Sequence, residues 1–351
     1  MVPTNLNILV INVARIGDTL LTTPVLRAIK AACPDGRLGC LAHPKRMAVL
    51  KGLEWVDSLG TITPKRARWR GWFGEKKWDY ALVYGHDAPL IRYAKRVAQH
   101  VIAFQQDDEE LNRLLWRAVV FPKPREQLHV VEEHLLLASA LGIETTDHRL
   151  AYRPSEDELK SAGTWISRNI PAAAHPLIGF QIASFPTKAY RDWPMQNFAE
   201  LGARILDSYP DAHLLVLGGK ESRAKAGWLE TQLPGRVTSV AGRFDLRATA
   251  AVMQRLDLYV GVDTGPTHLA GALGIPMVAL YHCYHPSRRL APQGQPLLRA
   301  VDHPRVDAAC SRDTPMAEIT VAAVWPKVED LLRQYLATRQ QIGRASCRER
   351  V

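Results

Sequence analysis

The feature that most constrains this chain is an alternation that runs through it twice. Short apolar runs rich in β-branched residues are each followed by a segment of helical period. Residues 6–13 form the first run, with Ile8-Leu9-Val10-Ile11 at its centre. An unbroken apolar run of this length reads as a strand buried on both faces. Strands are also expected at 37–42, 79–84 and 100–104. Helices are expected at 23–32, 88–98 and 131–141, the first opened by Thr23 as N-cap with Pro24 at its first position. A polar stretch at 144–153, a helix at 155–168 capped by Ser155, and a Pro/Ala-rich segment at 170–176 interrupt the series. It then restarts. Strands are expected at 177–183, 213–217, 237–240, 258–262 and 277–281. Helices are expected at 194–208, 221–232 and 245–256, the last capped by Asp245. A long helix at 321–341, with a kink at Pro326, closes the series. Each β-α-β series implies a parallel sheet with helices on both faces. A chain of 351 residues is long enough for two such cores. The expected division is a domain at 1–150, a linker region at 151–176 and a second domain at 177–341.

Composition narrows the classes further. Hydrophobic residues make up 47% and charged residues 23%, as in an ordinary globular protein. The net charge of +10 favours polyanionic partners: nucleic acid, anionic headgroups or phosphorylated substrates. The five cysteines, Cys33, Cys40, Cys283, Cys310 and Cys347, are scattered and include no C-x-x-C pair. That spacing supports neither a disulfide framework nor a zinc site, and buried thiols in a reducing compartment are expected. No signal peptide or membrane span is visible. The expected location is cytoplasmic, with peripheral contact on the cytoplasmic face of the inner membrane. The last ten residues, 342–351, read as the translation of a sequencing adapter and are expected to be an artefact. They hold three arginines and one glutamate, so the rest of the chain stays basic.

In open parallel sheets, ligands bind beyond the carboxyl ends of the strands, so the loops there carry the chemistry. The first is Ala14-Arg15-Ile16-Gly17-Asp18-Thr19. It lacks the G-x-G-x-x-G spacing of a dinucleotide site and is not a P-loop. Asp18 is either a general base, which would need its usual pKa of about 3.9 raised by burial, or a carboxylate that bonds the following loop. The second loop, 183–194, contains Ser184, Thr187, Lys188 and Arg191 ahead of a helix. Hydroxyls, cations and a helix N-terminus are the parts of a phosphate cradle, although an ordinary basic loop has the same composition. The third is Gly261-Val262-Asp263-Thr264-Gly265-Pro266-Thr267-His268. The amides of Thr264 and Gly265 can face an anion, and His268 can donate or simply be a satisfied helix residue. Asp263 would repel phosphate and is expected to cap the loop or face a sugar hydroxyl. The fourth feature, residues 64–78, mixes six basic residues with four aromatics; Arg66, Arg68, Trp69 and Arg70 stand at its centre. Such a mixture suits an anionic acceptor, a membrane interface or single-stranded nucleic acid; it also suits a solvated loop whose Trp residues anchor in the core.

Taken together, these loops resemble glycosyltransferase family 9, the ADP-heptose:lipopolysaccharide heptosyltransferases, from about residue 7 to residue 336. Ile11-Asn12-Val13-Ala14-Arg15-Ile16-Gly17-Asp18 looks like the family's opening, Arg191-Asp192-Trp193-Pro194 like its Lys-x-Trp-Pro element, and Asp263 to His268 like its signature. The resemblance implies an α/β protein of the GT-B class, two Rossmann-like domains facing each other across a cleft. It implies inverting transfer of a heptose from ADP-heptose to a lipid-linked anionic saccharide of the lipopolysaccharide inner core, with no cofactor, no obligatory metal and no nucleic-acid partner. In that reading Asp18 is the base and Asp263 is required at the site. Arg191, Thr264, Gly265 and His268 hold the phosphates, Glu221 the ribose, and Phe244 marks the adenine. Ser184, Thr187 and Lys188 complete the donor side. Two departures stand out. Arg191 replaces the usual Lys, and His282-Cys283-Tyr284-His285-Pro286 stands where the family tends to read Gly-Pro-Thr-Asp-Pro. The second departure leaves room for another nucleotide-sugar or acceptor. A GT-B-shaped nucleotide-sugar epimerase would leave residues 64–78 unexplained. A nucleotide-binding regulatory module would not need both Asp18 and Asp263.

Overall fold

The computed structural model describes residues 3–73 and 75–348. The chain divides into two compact units, Met1–Arg153 and Pro154–Val351. The first unit contains β1 (Ile8–Asn12), α1 (Ile16–Leu21), α2 (Thr23–Ala32), β2 (Leu38–Ala42), β3 (Ser58–Thr61) and α3 (Pro64–Ala67). It continues through β4 (Trp78–Tyr84), α4 (Ala88–Val97), β5 (Ala98–Phe104), α5 (Glu109–Asn112), β6 (Arg117–Val119) and α6 (Val130–Ser139). Its six strands are all parallel, in the order β3-β2-β1-β4-β5-β6. Every residue of β1 is buried. The strand pleat sends alternate side chains to opposite faces, and helices cover both. On one face Leu9, Ile11, Ala81 and Val83 pack with Leu90, Ile91 and Ala94 of α4.

The second unit opens with α7 (Glu156–Asn169) inside the segment expected to be linker. Ser155 and Glu158 form a reciprocal capping box there, and Glu158 pairs with Arg247 at 2.6 Å. Then follow β7 (Leu177–Gln181), α8 (Met195–Ser208), β8 (His213–Leu217), α9 (Arg223–Gln232), β9 (Val237–Ser239) and α10 (Leu246–Met253). The unit ends with β10 (Leu258–Val262), α11 (Gly265–Ala272), β11 (Met277–Tyr281), α12 (Ser287–Leu290), β12 (Leu298–Asp302) and α13 (Val321–Arg348). Its sheet is again parallel, in the order β12-β11-β10-β7-β8-β9. Counted from its own first strand and read from the β9 edge, this is the 3-2-1-4-5-6 order of the first unit. The core packs Phe180, Val216, Val260, Val262 and Leu280 with Phe198 and Ile205 of α8 and Leu331 and Leu332 of α13. Two Rossmann-like sheets in tandem make this an α/β chain of the GT-B class.

Two expectations need correction. The loop expected at residues 14–19 instead opens α1, because Ile16, Leu20 and Leu21 recur at helical spacing and the last two are buried. Thr23 is the first residue of α2 rather than its N-cap. Its hydroxyl donates to the Leu20 carbonyl and accepts from the Ala151 amide. Pro326 lies within α13. Of the suspected artefact, residues 342–348 continue the backbone of α13, and residues 349–351 lie outside the described residues.

Candidate active site

The strand order of each sheet reverses once, and ligands of such folds bind beyond the carboxyl ends of the strands at that point. In the second unit the reversal lies between β7 and β10, the two strands that feed the second and third motif loops. The loop after β7 is anchored from below. Trp193 is buried, donates its indole N–H to the Ile319 carbonyl at 2.7 Å and packs edge-on against Phe198. Asp192 accepts from the Ser184 amide at 2.7 Å and from Lys225 Nζ at 2.7 Å. The Ser184 hydroxyl lies 2.6 Å from Asp192 Oδ1 and 2.7 Å from the Lys188 carbonyl, so its single proton serves the loop itself. Thr187 is exposed at the crest of the loop, and Lys188 is half-buried.

Arg191 reaches the loop after β10. Its Nη1 donates to Asp263 Oδ2 at 2.6 Å, and Asp263 is buried. His268 Nε2 lies 3.7 Å from the other Asp263 oxygen. Asp263 is therefore paired with the Arg191 guanidinium and has the His268 ring beside it, where a loop cap or a sugar-facing carboxylate was expected. Gly261 permits this arrangement: a Cβ there would meet the Tyr259 hydroxyl at 2.6 Å. That hydroxyl bonds Thr267 Oγ1, which donates to the Val262 carbonyl at 2.6 Å and fixes the first turn of α11. Thr264 is the N-cap residue of α11, and the Thr264 and Gly265 amides precede the helix ladder, where an anion finds open donors.

Glu221 and Phe244 follow β8 and β9. Glu221 is exposed in a short 3₁₀ turn with its carboxylate folded over Gly219. Gly242, at φ 63°, passes so close to Lys220 that a Cβ would lie 2.7 Å from its Cα, and its amide donates to the Gly218 carbonyl. These contacts tie the two loops together. Phe244 packs edge-on against Trp165 at 5.2 Å beside a pocket of about 260 Å³ that Arg247 and Ala248 also line.

In the first unit, Asp18 lies exposed in the first turn of α1, on the segment that leaves β1 at that sheet's own reversal. The burial expected of a general base is not there. Beneath it the Asn12 amide donates to Thr22 Oγ1 at 2.6 Å, and His134 Nδ1 lies 3.1 Å from the same hydroxyl. Arg66, Arg68, Trp69 and Arg70 are all exposed, Trp69 at 81%. Trp72 and Phe73 join them at 62% and 98%, so these rings do not anchor in the core. Trp72 donates to the Arg68 carbonyl and lies under Arg96, 4.4 Å from its ring centre.

Sequence reasoning missed a cluster built on the unusual segment 282–286. Tyr190 Oη accepts from Arg191 Nε at 3.3 Å and lies 2.9 Å from His285 Nε2. Arg312 lies over the Tyr284 ring at 5.2 Å. Burial, with Arg191, Lys188, His282 and Arg312 around it, pushes the His285 imidazole down to about 3. The expectation of unpaired thiols is also corrected. Cys33 and Cys40 are free and buried, but Cys283 and Cys310 form a disulfide that joins the loops after β11 and β12. They stand 27 positions apart, and only the adjacency of β11 and β12 brings them together. The mismatch at 282–286 was the one sequence signal that could have pointed to this cluster.

A family model described as glycosyltransferase family 9 (heptosyltransferase) matches residues 88–313. Lipopolysaccharide heptosyltransferase 3 of Escherichia coli is 24% identical over 295 residues, covering 76% of this chain and 80% of that protein. The crystal structure of a family 9 glycosyl transferase from Veillonella parvula DSM 2008 superposes with a TM-score of 0.79 at 20% identity, covering 94% of this chain and 98% of that one. E. coli ADP-heptose lps heptosyltransferase II gives 0.73 at 20% identity, covering 93% and 99%. The chain is a glycosyltransferase and belongs to family 9, the heptosyltransferase family.

Proposed function

We propose that this enzyme transfers a heptose from ADP-heptose to a lipid-linked anionic saccharide of the lipopolysaccharide inner core, with inversion at the anomeric carbon. The observation that carries the donor half is the order of side chains along one sheet edge. The strands run β10-β7-β8-β9, and their loops bear in turn Asp263 to His268, Ser184 to Arg191, Glu221 and Phe244. Adjacent strands stand about 4.8 Å apart, so four neighbours span about 14 Å, the length of an extended nucleoside diphosphate. Phosphates then fall on the α11 N-terminus with Thr264, Gly265, His268, Lys188 and Arg191. The ribose falls by Glu221 and the base by Phe244. The names of the E. coli relatives, one an ADP-heptose enzyme, support this donor and acceptor.

In this reading Asp18 takes the proton of the acceptor hydroxyl, whose oxygen attacks the anomeric carbon. The bond to the diphosphate breaks, and ADP leaves with the electron pair. Arg191, Lys188 and the α11 amides stabilise the charge that develops on it. Asp18 is open to a substrate hydroxyl, and in this reading the bound acceptor supplies the burial that the free site lacks. Trp69 and Phe73, among Arg66, Arg68 and Arg70, suit an anionic acceptor at a membrane surface. Among the described residues no helix is long and apolar enough to cross a membrane, so such contact would be peripheral.

The test is transfer to a lipid A–Kdo acceptor from ADP-heptose, compared with UDP- and GDP-sugars. Only ADP-heptose should be consumed. Asp18→Asn should cut turnover at least about a hundredfold, the usual worth of a general base, with ADP affinity unchanged. Wild-type turnover in that variant would remove Asp18 as base. Co-sedimentation with anionic vesicles should weaken with salt and with Phe73→Ser; binding to neutral vesicles equally well would refute the charged contact.

A further inference from the structure

The Cys283–Cys310 pair has a third partner. His282 is buried, and its Nδ1 lies 3.8 Å from Cys283 Sγ. A ring nitrogen of His282 and both sulfurs lie within 4.8 Å of one another. A tetrahedral zinc ion bound by sulfur at about 2.3 Å and nitrogen at about 2.1 Å sets S···S edges near 3.8 Å and S···N edges near 3.6 Å. Of the three edges, the S···N edge to Cys283 is nearly in place at 3.8 Å. Opening the S–S bond lets the sulfurs separate toward the S···S edge, and the 6.0 Å between the Cα atoms leaves room for that.

The imidazole is prepared for coordination. His282 Nε2 lies 2.8 Å from the Thr314 carbonyl, an acceptor only, so Nε2 carries the proton and Nδ1 presents a lone pair. Metal-bound histidines are oriented by this kind of contact on their far nitrogen. The Tyr284 amide now donates to Nδ1 at 3.0 Å and would give way to the metal. Cys310 is partly exposed and offers an entry path.

We propose that, once the Cys283–Cys310 disulfide is reduced, His282 Nδ1, Cys283 Sγ and Cys310 Sγ bind a soft divalent cation, zinc above all, with the fourth position left to water. Reduction by two equivalents of a thiol gives the two cysteine thiols and one external disulfide. Metal binding then displaces the two thiol protons. Disulfide and metal are alternative staples between the same two loops, beside Tyr190 and Arg191. The site does not depend on the identity of the donor sugar.

The full chain, carrying Cys347→Ser to remove an unrelated thiol, is reduced with a phosphine, desalted without oxygen and titrated with Co²⁺. One cobalt per chain should bind, with a thiolate-to-cobalt charge-transfer band. The oxidised chain should show no such band. Cys310→Ser and Cys283→Ser should abolish it, and His282→Gln should weaken affinity at least about tenfold. Iodoacetamide labelling read by mass spectrometry needs no variant: Zn²⁺ should protect Cys283 and Cys310 in the reduced chain. A reduced chain that binds no more cobalt than the oxidised one, full labelling with Zn²⁺ present, or an undiminished band in Cys310→Ser would overturn the proposal.

Discussion

Arg191 is held on two sides before any ligand arrives. Nη1 meets Asp263 and Nε meets Tyr190 Oη, which leaves guanidinium donors to spare for an anion. Its fork can keep the buried carboxylate neutralised while it grips a phosphate; a lysine, with one compact charge, would have to choose. Arg191→Ala removes a charge-assisted contact and exposes the ligand to Asp263. A loss of about 1.5–3 kcal/mol follows, a rise of roughly ten- to a hundredfold in the Kd for ADP. Titration calorimetry reads it, and an unchanged Kd would take Arg191 off the phosphates. Arg191→Lys should fall between the two. The places of Arg191, Asp18 and Asp263 after strands were legible because each belongs to a local motif at the end of a strand. Tyr190 and His285 were not, since 95 positions separate them and nothing in either segment announces the other.

At the scale of elements, α11 depends on one buried hydroxyl. Thr267 Oγ1 donates to the Val262 carbonyl and accepts from Tyr259, so it ties the helix start to the strand that feeds it. Thr267→Val keeps the shape but removes both bonds, leaving the Val262 carbonyl only the longer contact from the Thr264 hydroxyl at 3.3 Å. It should cost about 1–3 kcal/mol in a urea titration and loosen ADP binding through the displaced Thr264 and Gly265 amides. Stability within a few tenths of wild type would show that the turn holds without this bond. The same logic of burial explains which elements the sequence showed. Central strands such as β1, β8 and β10 are buried along their whole length and read as unbroken apolar runs. The strands missed, β3, β6 and β12, all lie at sheet edges. Their sequences, Ser-Leu-Gly-Thr, Arg-Ala-Val and Leu-Arg-Ala-Val-Asp, are short or polar because one flank needs no partner. Their pairing is decided by the neighbouring strand, which a local reading cannot see.

Across the whole molecule, buried imidazoles in both units set the response to acid. Burial lowers the pKa of His134 in the first unit and of His213, His282 and His285 in the second. A histidine whose folded pKa lies below its unfolded value, near 6.5, takes up its proton first in the unfolded chain. Its contribution to stability is therefore complete above about pH 6.5 and declines as the pH falls toward the folded value, about 3 for His285. The carboxylates act later. Hydrogen bonds from Arg247 and Arg149 hold Glu158 and Asp147 at about 2, so their share is lost only as the pH falls through roughly 4 toward that value. Acid should thus weaken the fold in two stages, the first from imidazoles alone. The urea midpoint at pH 5 should fall below that at pH 7.5. His285→Gln, which keeps a partner for Tyr190 without a titrating ring, should narrow the gap. Equal midpoints at the two pH values in the wild-type chain would show that these imidazoles do not stay neutral in the folded state.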